Sequence, residues 1–187
     1  QVVLGDNVRE IEKVTASIAG ENSITGSDTQ NSWLITDKNK GTITVNNAST
    51  VSFTGFENIT VTDTAGNNTG GVTLDLNDSA YATALTVDTS DLDSGEADTI
   101  QADNAAVAIT VTAGEGISTI DTGTKADTIT SGGGNDVINA QAGLDNISAG
   151  AGNDAITADT EADFLTTLGT DTVDGGAGTD SLTFSAA

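Results

Sequence analysis

The chain has 187 residues, with 28 acidic side chains against 5 basic ones, a formal charge of −23, and no histidine, cysteine, methionine or proline. Only Arg9, Lys13, Lys38, Lys40 and Lys125 could meet phosphates, which speaks against nucleic acid and against an anionic membrane surface. Without cysteine there is no disulfide framework, and no apolar run approaches the roughly 20 residues of an inserted membrane span.

So much like charge repels itself in a compact body, and the chain must either stay disordered or take up cations. The regular return of valine, isoleucine and leucine favours cations. The N-terminus, QVVLGDNVREIEKV, lacks a basic-then-apolar signal pattern, so the expectation is a processed mature protein or a piece of a longer one.

Taken in order, the first elements are short strands. SWLIT, GTITV and STVSF are β-branched and alternating, with Asn, Asp and Gly at the breaks. Residues Ile11 to Ser17 parallel Phe56 to Thr62, and each stretch is soon followed by an Ala-Gly pair, Ala19-Gly20 and Ala65-Gly66. No helical apolar period of useful length occurs. Residues 1–92 therefore read as an irregular Thr-rich β-solenoid part and 93–187 as a nonapeptide part. No linker near residue 90 divides them, and one continuous solenoid is the expectation. Asp63, Asp75, Asp78 and Asp88 have no register and read as turn residues. Trp33 and Tyr81 read as packing residues.

Further on, a period sets in. Asp98 with Ile100, then Ser118 with Ile120, lead into aspartates at 127, 136, 145, 154 and 163, nine apart, followed by Asp171 and Asp180. Two residues after each aspartate from 127 comes an aliphatic: Ile129, Ile138, Ile147, Ile156, Leu165, Val173 and Leu182. Such a register marks a repeat architecture. Val137-Ile138-Asn139 is a minimal strand with Ile138 inward, and the glycines before it reverse the chain. Two nonapeptides make one flattened coil of about 18 residues, and coils stack at roughly 4.8 Å. Ile138 is expected over Ile156, and Ile147 over Ile129 and Leu165. The fold class is all-β, a right-handed parallel β-solenoid or β-roll.

The turns also suggest a ligand. Calcium takes six to eight oxygens and accepts main-chain carbonyls. Glycine turns expose carbonyls, and carboxylates facing each other one coil apart would repel without an ion between them. Because a site needs two stacked coils, binding and folding are expected to be one event.

On these residues the chain resembles the RTX (repeat-in-toxin) calcium-binding β-rolls of secreted bacterial proteins, whose unit is G-G-x-G-x-D-x-U-x. Gly175 to Thr183 matches the unit throughout, and Ser131 to Asn139 and Ala149 to Thr157 miss only the first glycine. AQAGLDNIS, TGTKADTIT and ADTEADFLT are degraded copies. The resemblance implies several Ca2+ ions, each between turns one coil apart, held by aspartates and neighbouring carbonyls. Carried over, one edge uses Asp136, Asp154 and Asp171, with carbonyls near Gly132, Gly134, Gly150 and Gly152. The other uses Asp127, Asp145, Asp163 and Asp180, with carbonyls near Gly143, Gly176 and Gly178. Ser118, Lys125 and Glu161 depart from the pattern at their positions.

The earlier run from NSWLIT to ENITV is similar to units of very large bacterial surface proteins built from β-strand repeats. In such proteins a GGAGTDSLTF segment commonly leads into an F/I-E-N/K-V/I-T segment; here the first closes the chain and the second opens it. Neither end shows a polar capping repeat. The expectation is a chain cut from a tandem array, or subunits that stack end to end on other copies.

Catalysis is not expected, since histidine, cysteine and the common nucleophile and zinc motifs are missing. The favoured role is a structural module of a bacterial cell-surface or extracellular assembly: surface layer, adhesin stalk or filament. The alternative is a calcium-dependent carbohydrate- or ice-binding module. An anionic glycan fits the charge poorly, and the threonines of ITVN, ITVT and ITVTA are unevenly spaced for ice.

Overall fold

The computed structural model describes residues 2–4, 23–27, 32–36, 42–46, 50–54, 58–61, 70–77, 84–158 and 171–184. Among them every element is a β-strand, every pairing is parallel, and the chain alternates between two sheets. A nine-stranded sheet takes, in order, β1 (Val2–Leu4), β2 (Ser23–Ser27), β4 (Thr42–Asn46), β6 (Asn58–Val61), β8 (Leu85–Asp88), β10 (Ile109–Thr112), β12 (Thr128–Thr130), β14 (Asn146–Ser148) and β16 (Thr172–Asp174). An eight-stranded sheet takes β3 (Ser32–Thr36), β5 (Thr50–Thr54), β7 (Gly70–Asp75), β9 (Glu96–Gln101), β11 (Ser118–Asp121), β13 (Val137–Gln141), β15 (Ala155–Ala158) and β17 (Ser181–Phe184). Each coil contributes one strand to each sheet, which is a β-solenoid. The predicted SWLIT, GTITV and STVSF strands are β3, β4 and β5. Strands from both sides of residue 92 share both sheets, since β7 pairs with β9 and β8 with β10.

The strands are three to six residues long because only one to three side chains per strand need to point inward. β13 reads exposed–buried–partly buried over Val137, Ile138 and Asn139. The inward residues stack into two apolar columns. Ile59, Val87, Val111, Ile129, Ile147 and Val173 follow one another through the nine-stranded sheet. Leu74, Ile100, Ile120, Ile138, Ile156 and Leu182 do so through the eight-stranded one. Small residues, Ala102, Ala140, Ala149 and Ala158, fill what remains of this thin core. Burial ends with the last rung, where Leu182 is 42% exposed.

The pairing corrects one expected register. Ile138 does lie beside Ile156, and Ile129 beside Ile147. The partner of Ile147 on its other side is Val173, not Leu165. A nonapeptide count gives every acid-x-aliphatic triplet its own rung. Main-chain pairing instead links β14 directly to β16 and β15 directly to β17, so residues 159–170 are passed over in both sheets. Leu165 and Asp163 lie outside the described residues.

The uneven threonine spacing also resolves differently. Coils vary in length, from the step Ile43 to Ile59 to the step Ile59 to Val87, yet the register of the nine-stranded sheet is kept. In the regular coils Thr110 is level with Thr128 and Thr112 with Thr130, all four exposed on the outer face. Asn146 and Ser148, then Thr172 and Asp174, continue the two ranks. Among the described residues no helix is long and apolar enough to cross a membrane. Residues 11–17, Asp63, Asp78 and Tyr81 fall outside the described residues, and the Trp33 side chain is not described.

Candidate metal centre

The coils turn at two edges, and the edges are unequal. Turns leading into the eight-stranded sheet are built on Gly132-Gly133-Gly134, Gly150-Ala151-Gly152 and Gly176-Ala177-Gly178. All six flanking glycines have positive φ, from 82° at Gly176 to 146° at Gly178. The middle residues stack as parallel bridges, Gly133 to Ala151 to Ala177. Ala151 N–H donates to Gly132 O at 2.8 Å and Ala177 N–H to Gly150 O at 2.7 Å. Glycine is required twice over here. At Gly152 the φ is +144°, and a Cβ would lie 1.5 Å from Gly134 O. The carbonyls of Gly132 and Gly134 thus sit directly against the next coil.

Aspartates stand one above another beside these carbonyls. Asp136 Oδ1 accepts the Ser118 N–H at 2.8 Å, Asp154 Oδ1 accepts the Asp136 N–H at 2.8 Å, and Asp180 Oδ1 accepts the Asp154 N–H at 3.1 Å. The sequence missed a neighbouring ladder: Asn153 N–H donates to Asn135 Oδ1 at 2.7 Å and Thr179 N–H to Asn153 Oδ1 at 2.8 Å. Its signal is the Asn-Asp pair shared by GGGND and GAGND, followed by Thr-Asp in GAGTD.

The opposite edge carries a second aspartate ladder. Asp127 Oδ1 accepts the Ile109 N–H at 2.7 Å, Asp145 Oδ1 the Asp127 N–H at 2.8 Å, and Asp171 Oδ1 the Asp145 N–H at 2.9 Å. Asp171 is thus level with Asp127 and Asp145, and Asp180 with Asp136 and Asp154, the reverse of the expected assignment. The cause is again the passed-over segment, since the last partners in both ladders are 26 residues apart instead of 18. Among the described residues this edge has no glycine with positive φ; its left-handed residue is Gln141, at φ 54°. Gly143 packs on the Lys125 carbonyl, where a Cβ would come within 2.3 Å. Lys125 itself is exposed.

Asp127, Asp136, Asp145 and Asp154 are each at most 2% exposed, and Asp171 is 7% exposed. One oxygen of each ladder carboxylate caps a main-chain N–H. The other, Oδ2, is buried with no hydrogen-bond partner at Asp127, Asp136 and Asp154. Burial pushes Asp127 up to about 6, against the hydrogen bond from Ile109 N–H and the nearby Thr122 hydroxyl. Burial likewise pushes Asp136 up to about 6, against the Ser118 N–H and the nearby Ser131 hydroxyl, with the charges of Asp154 and Asp98 adding to the rise. The two hydroxyls donate to the Ala140 and Ala149 carbonyls. A buried carboxylate oxygen facing nothing costs several kcal/mol as a charge unless a proton or cation meets it.

This donor set suits calcium. Carboxylate oxygens one coil apart alternate with carbonyls, all hard oxygen ligands, and softer nitrogen or sulfur ligands are lacking. No group of three or more carboxylates gathers among the described residues, so an ion held here would need carbonyls or water to complete its shell. Asp75 and Asp88, expected to have no register, instead close β7 and β8 level with Gln101 and Thr112. Their side chains do serve the turns that follow: Asp75 Oδ1 accepts Asn77 N–H, and Asp88 Oδ1 accepts the N–H and the hydroxyl of Ser90.

Comparison with known families agrees with this chemistry. The family described as the RTX calcium-binding nonapeptide repeat (4 copies) matches residues 112–147, 130–165 and 148–182. Residues 112–182 are RTX repeats. RTX repeats bind calcium, several ions to an array, so this part of the chain is a calcium-binding β-roll. No curated protein and no solved structure matches the chain.

Proposed function

We propose that the chain is a non-catalytic structural module of a bacterial extracellular assembly, such as a surface layer, adhesin stalk or filament, which folds and stacks as calcium enters between its rungs. The ligands on the glycine-rich edge are Asp136, Asp154 and Asp180 with the carbonyls of Gly132, Gly134, Gly150, Gly152, Gly176 and Gly178. Those on the opposite edge are Asp127, Asp145 and Asp171 with carbonyls near Gly143. The observation that carries this reading is the set of buried, orphaned carboxylate oxygens at Asp127, Asp136 and Asp154. End-to-end stacking would set the inner apolar column, which runs through Ile156 to Leu182, against the column of a second copy.

The test is far-UV circular dichroism and small-angle scattering in chelator and in millimolar calcium. The expected result is an expanded, largely unstructured chain that becomes a β-rich rod. A compact β-rich chain in chelator at neutral pH would sink the proposal.

A second reading has one observation in its favour. Thr110, Thr112, Thr128 and Thr130 form a level hydroxyl array on the outer sheet face, the kind of regular surface that orders water. Asp88 and Asp174 interrupt the ranks. An ice-recrystallisation assay in calcium separates this reading from scaffolding.

A further inference from the structure

One coil upstream of the matched repeats, the turn into β9 breaks the ladder's rule. Glu96 N–H donates to Asp93 O at 2.9 Å, closing a turn, and Glu96 Oε2 accepts the Asp93 N–H at 3.1 Å. Glu96 and Asp98 are alternate residues of a strand whose burial alternates, and they are 1% and 2% exposed. Both side chains therefore point into the solenoid. Glu96 holds the place that Gly134, Gly152 and Gly178 hold two residues before their aspartates, and so adds a carboxylate where the repeats have none. Gly116 packs on this turn, where a Cβ would lie 1.6 Å from Glu96 O.

Asp98 differs from the aspartates below it. Asp136, Asp154 and Asp180 each accept a main-chain N–H at Oδ1. At Asp98 the Thr89 hydroxyl donates to Oδ2 and the Ser118 hydroxyl lies close by, while Oδ1 is buried with no hydrogen bond of normal geometry; burial raises the Asp98 pKa against both hydroxyls. Glu96 Oε1 is orphaned in the same way. The single basic side chain among the described residues, Lys125, is exposed and cannot neutralise them from inside. Two buried carboxylates, two residues apart on one face and each with a bare oxygen, are costly as charges unless a proton or a cation meets them, and one cation can serve both. The shell on offer is all oxygen, with turn carbonyls and water to complete it, which suits a hard divalent cation.

We propose that Glu96 and Asp98 together hold a further calcium ion at the head of the glycine-rich edge, outside the matched repeats. This rests on the calcium reading given above but adds a site that the nonapeptide pattern does not specify. Its place explains its use. β9 joins β7, from the irregular coils, to β11, at the start of the repeats, and Gly70 is level with Glu96 and Val72 with Asp98. An ion here ties the irregular coils to the calcium-bound ones.

The test uses the full chain in saturating calcium, with ions per chain counted by mass spectrometry after equilibrium dialysis. E96Q and D98N are each expected to bind one ion fewer than wild type while remaining β-rich by circular dichroism. Equal counts in wild type and both variants overturn the proposal and leave the repeat sites intact. Should the variants fail to fold, terbium-loaded wild-type crystals decide. An anomalous peak between Glu96 and Asp98 supports the site, and its absence beside a peak at Asp136–Asp154 overturns it. A wild-type chain that binds no calcium at all overturns the underlying reading as well, and is thereby distinguished from the loss of this site alone.

Discussion

The backbone N–H of Asp136 donates to Oδ1 of Asp154, eighteen residues on, at 2.8 Å, while Oδ2 of Asp154 stays buried and unmet. One carboxylate thus does two jobs. It caps the strand of the preceding rung, and it offers a second oxygen to whatever lies between the rungs.

The two jobs separate by mutation. Asp154→Asn keeps an acceptor at Oδ1 and removes the charge. It is expected to raise the calcium midpoint for folding by about tenfold or more, a loss of about 1.4 kcal/mol. Asp154→Ala also removes the cap and should destabilise by a further ~1 kcal/mol or more. Calcium titrations followed by circular dichroism rank the three chains. A wild-type midpoint in Asp154→Asn would remove Asp154 from the ligand set.

Without metal, protons should partly replace it. Asp127 and Asp136 rise to about 6 in the folded coil from an ordinary 3.8. The folded state therefore holds these protons more tightly than the unfolded one, and their contribution is fully present below about pH 4. It is lost as pH rises through about 6. Calcium-free protein is expected to be β-rich near pH 4.5 and unfolded at pH 7.5, with calcium restoring the fold at the higher pH. Circular dichroism across that range checks the sign, and a β signal that grows with pH in calcium-free buffer would contradict it.

Gly152 leaves no room for a side chain. Gly152→Ala forces a positive φ on a residue with a Cβ and drives that Cβ into Gly134 O, so a loss of about 3 kcal/mol or more is expected. Thr128→Ala, on the exposed outer face, should change stability by no more than about 0.5 kcal/mol. Urea unfolding in saturating calcium measures both. Similar midpoints would mean that the turns are looser than their stacking implies.

Ile138 and Leu182 occupy the same apolar column, one fully buried and the other 42% exposed. Ile138→Ala should cost about 2–5 kcal/mol, a large share of the stability of a small fold. Leu182→Ala should leave monomer stability nearly unchanged and weaken self-association, if the column continues into a second copy. Analytical ultracentrifugation in calcium compares the chains. Unaltered association of Leu182→Ala would take that residue out of any contact between copies.

Much of this was legible in the sequence because a β-coil repeats its side-chain chemistry at the length of its own turn. The inward places of Ile129, Ile138, Ile147 and Ile156 follow from counting, as do the two aspartate ladders. Counting failed where pairing does not respect it. Asp163 sits nine residues after Asp154, but the strands next to Asp145 and Asp154 in the sheets are those of Asp171 and Asp180, which exchanged the last members of the two edges. A hint was present in ADTEADFLT, which has no glycine with which to turn. The irregular coils were harder. Alternation located β3, β4 and β5, but the register of Ile59 with Val87 depends on coil length, which no single strand reveals. The bare oxygens of Glu96 and Asp98 arise from three-dimensional burial, and no motif announces them.

The unequal steps between paired strands have a mechanical consequence. The rise along the axis is fixed by hydrogen bonding from strand to strand, so the longer step from Ile59 to Val87 advances the rod no further than the shorter one from Ile43 to Ile59. Its reach is set by the number of its layers, and material can be added at its flanks while the spacing of whatever hangs from its two ends is preserved.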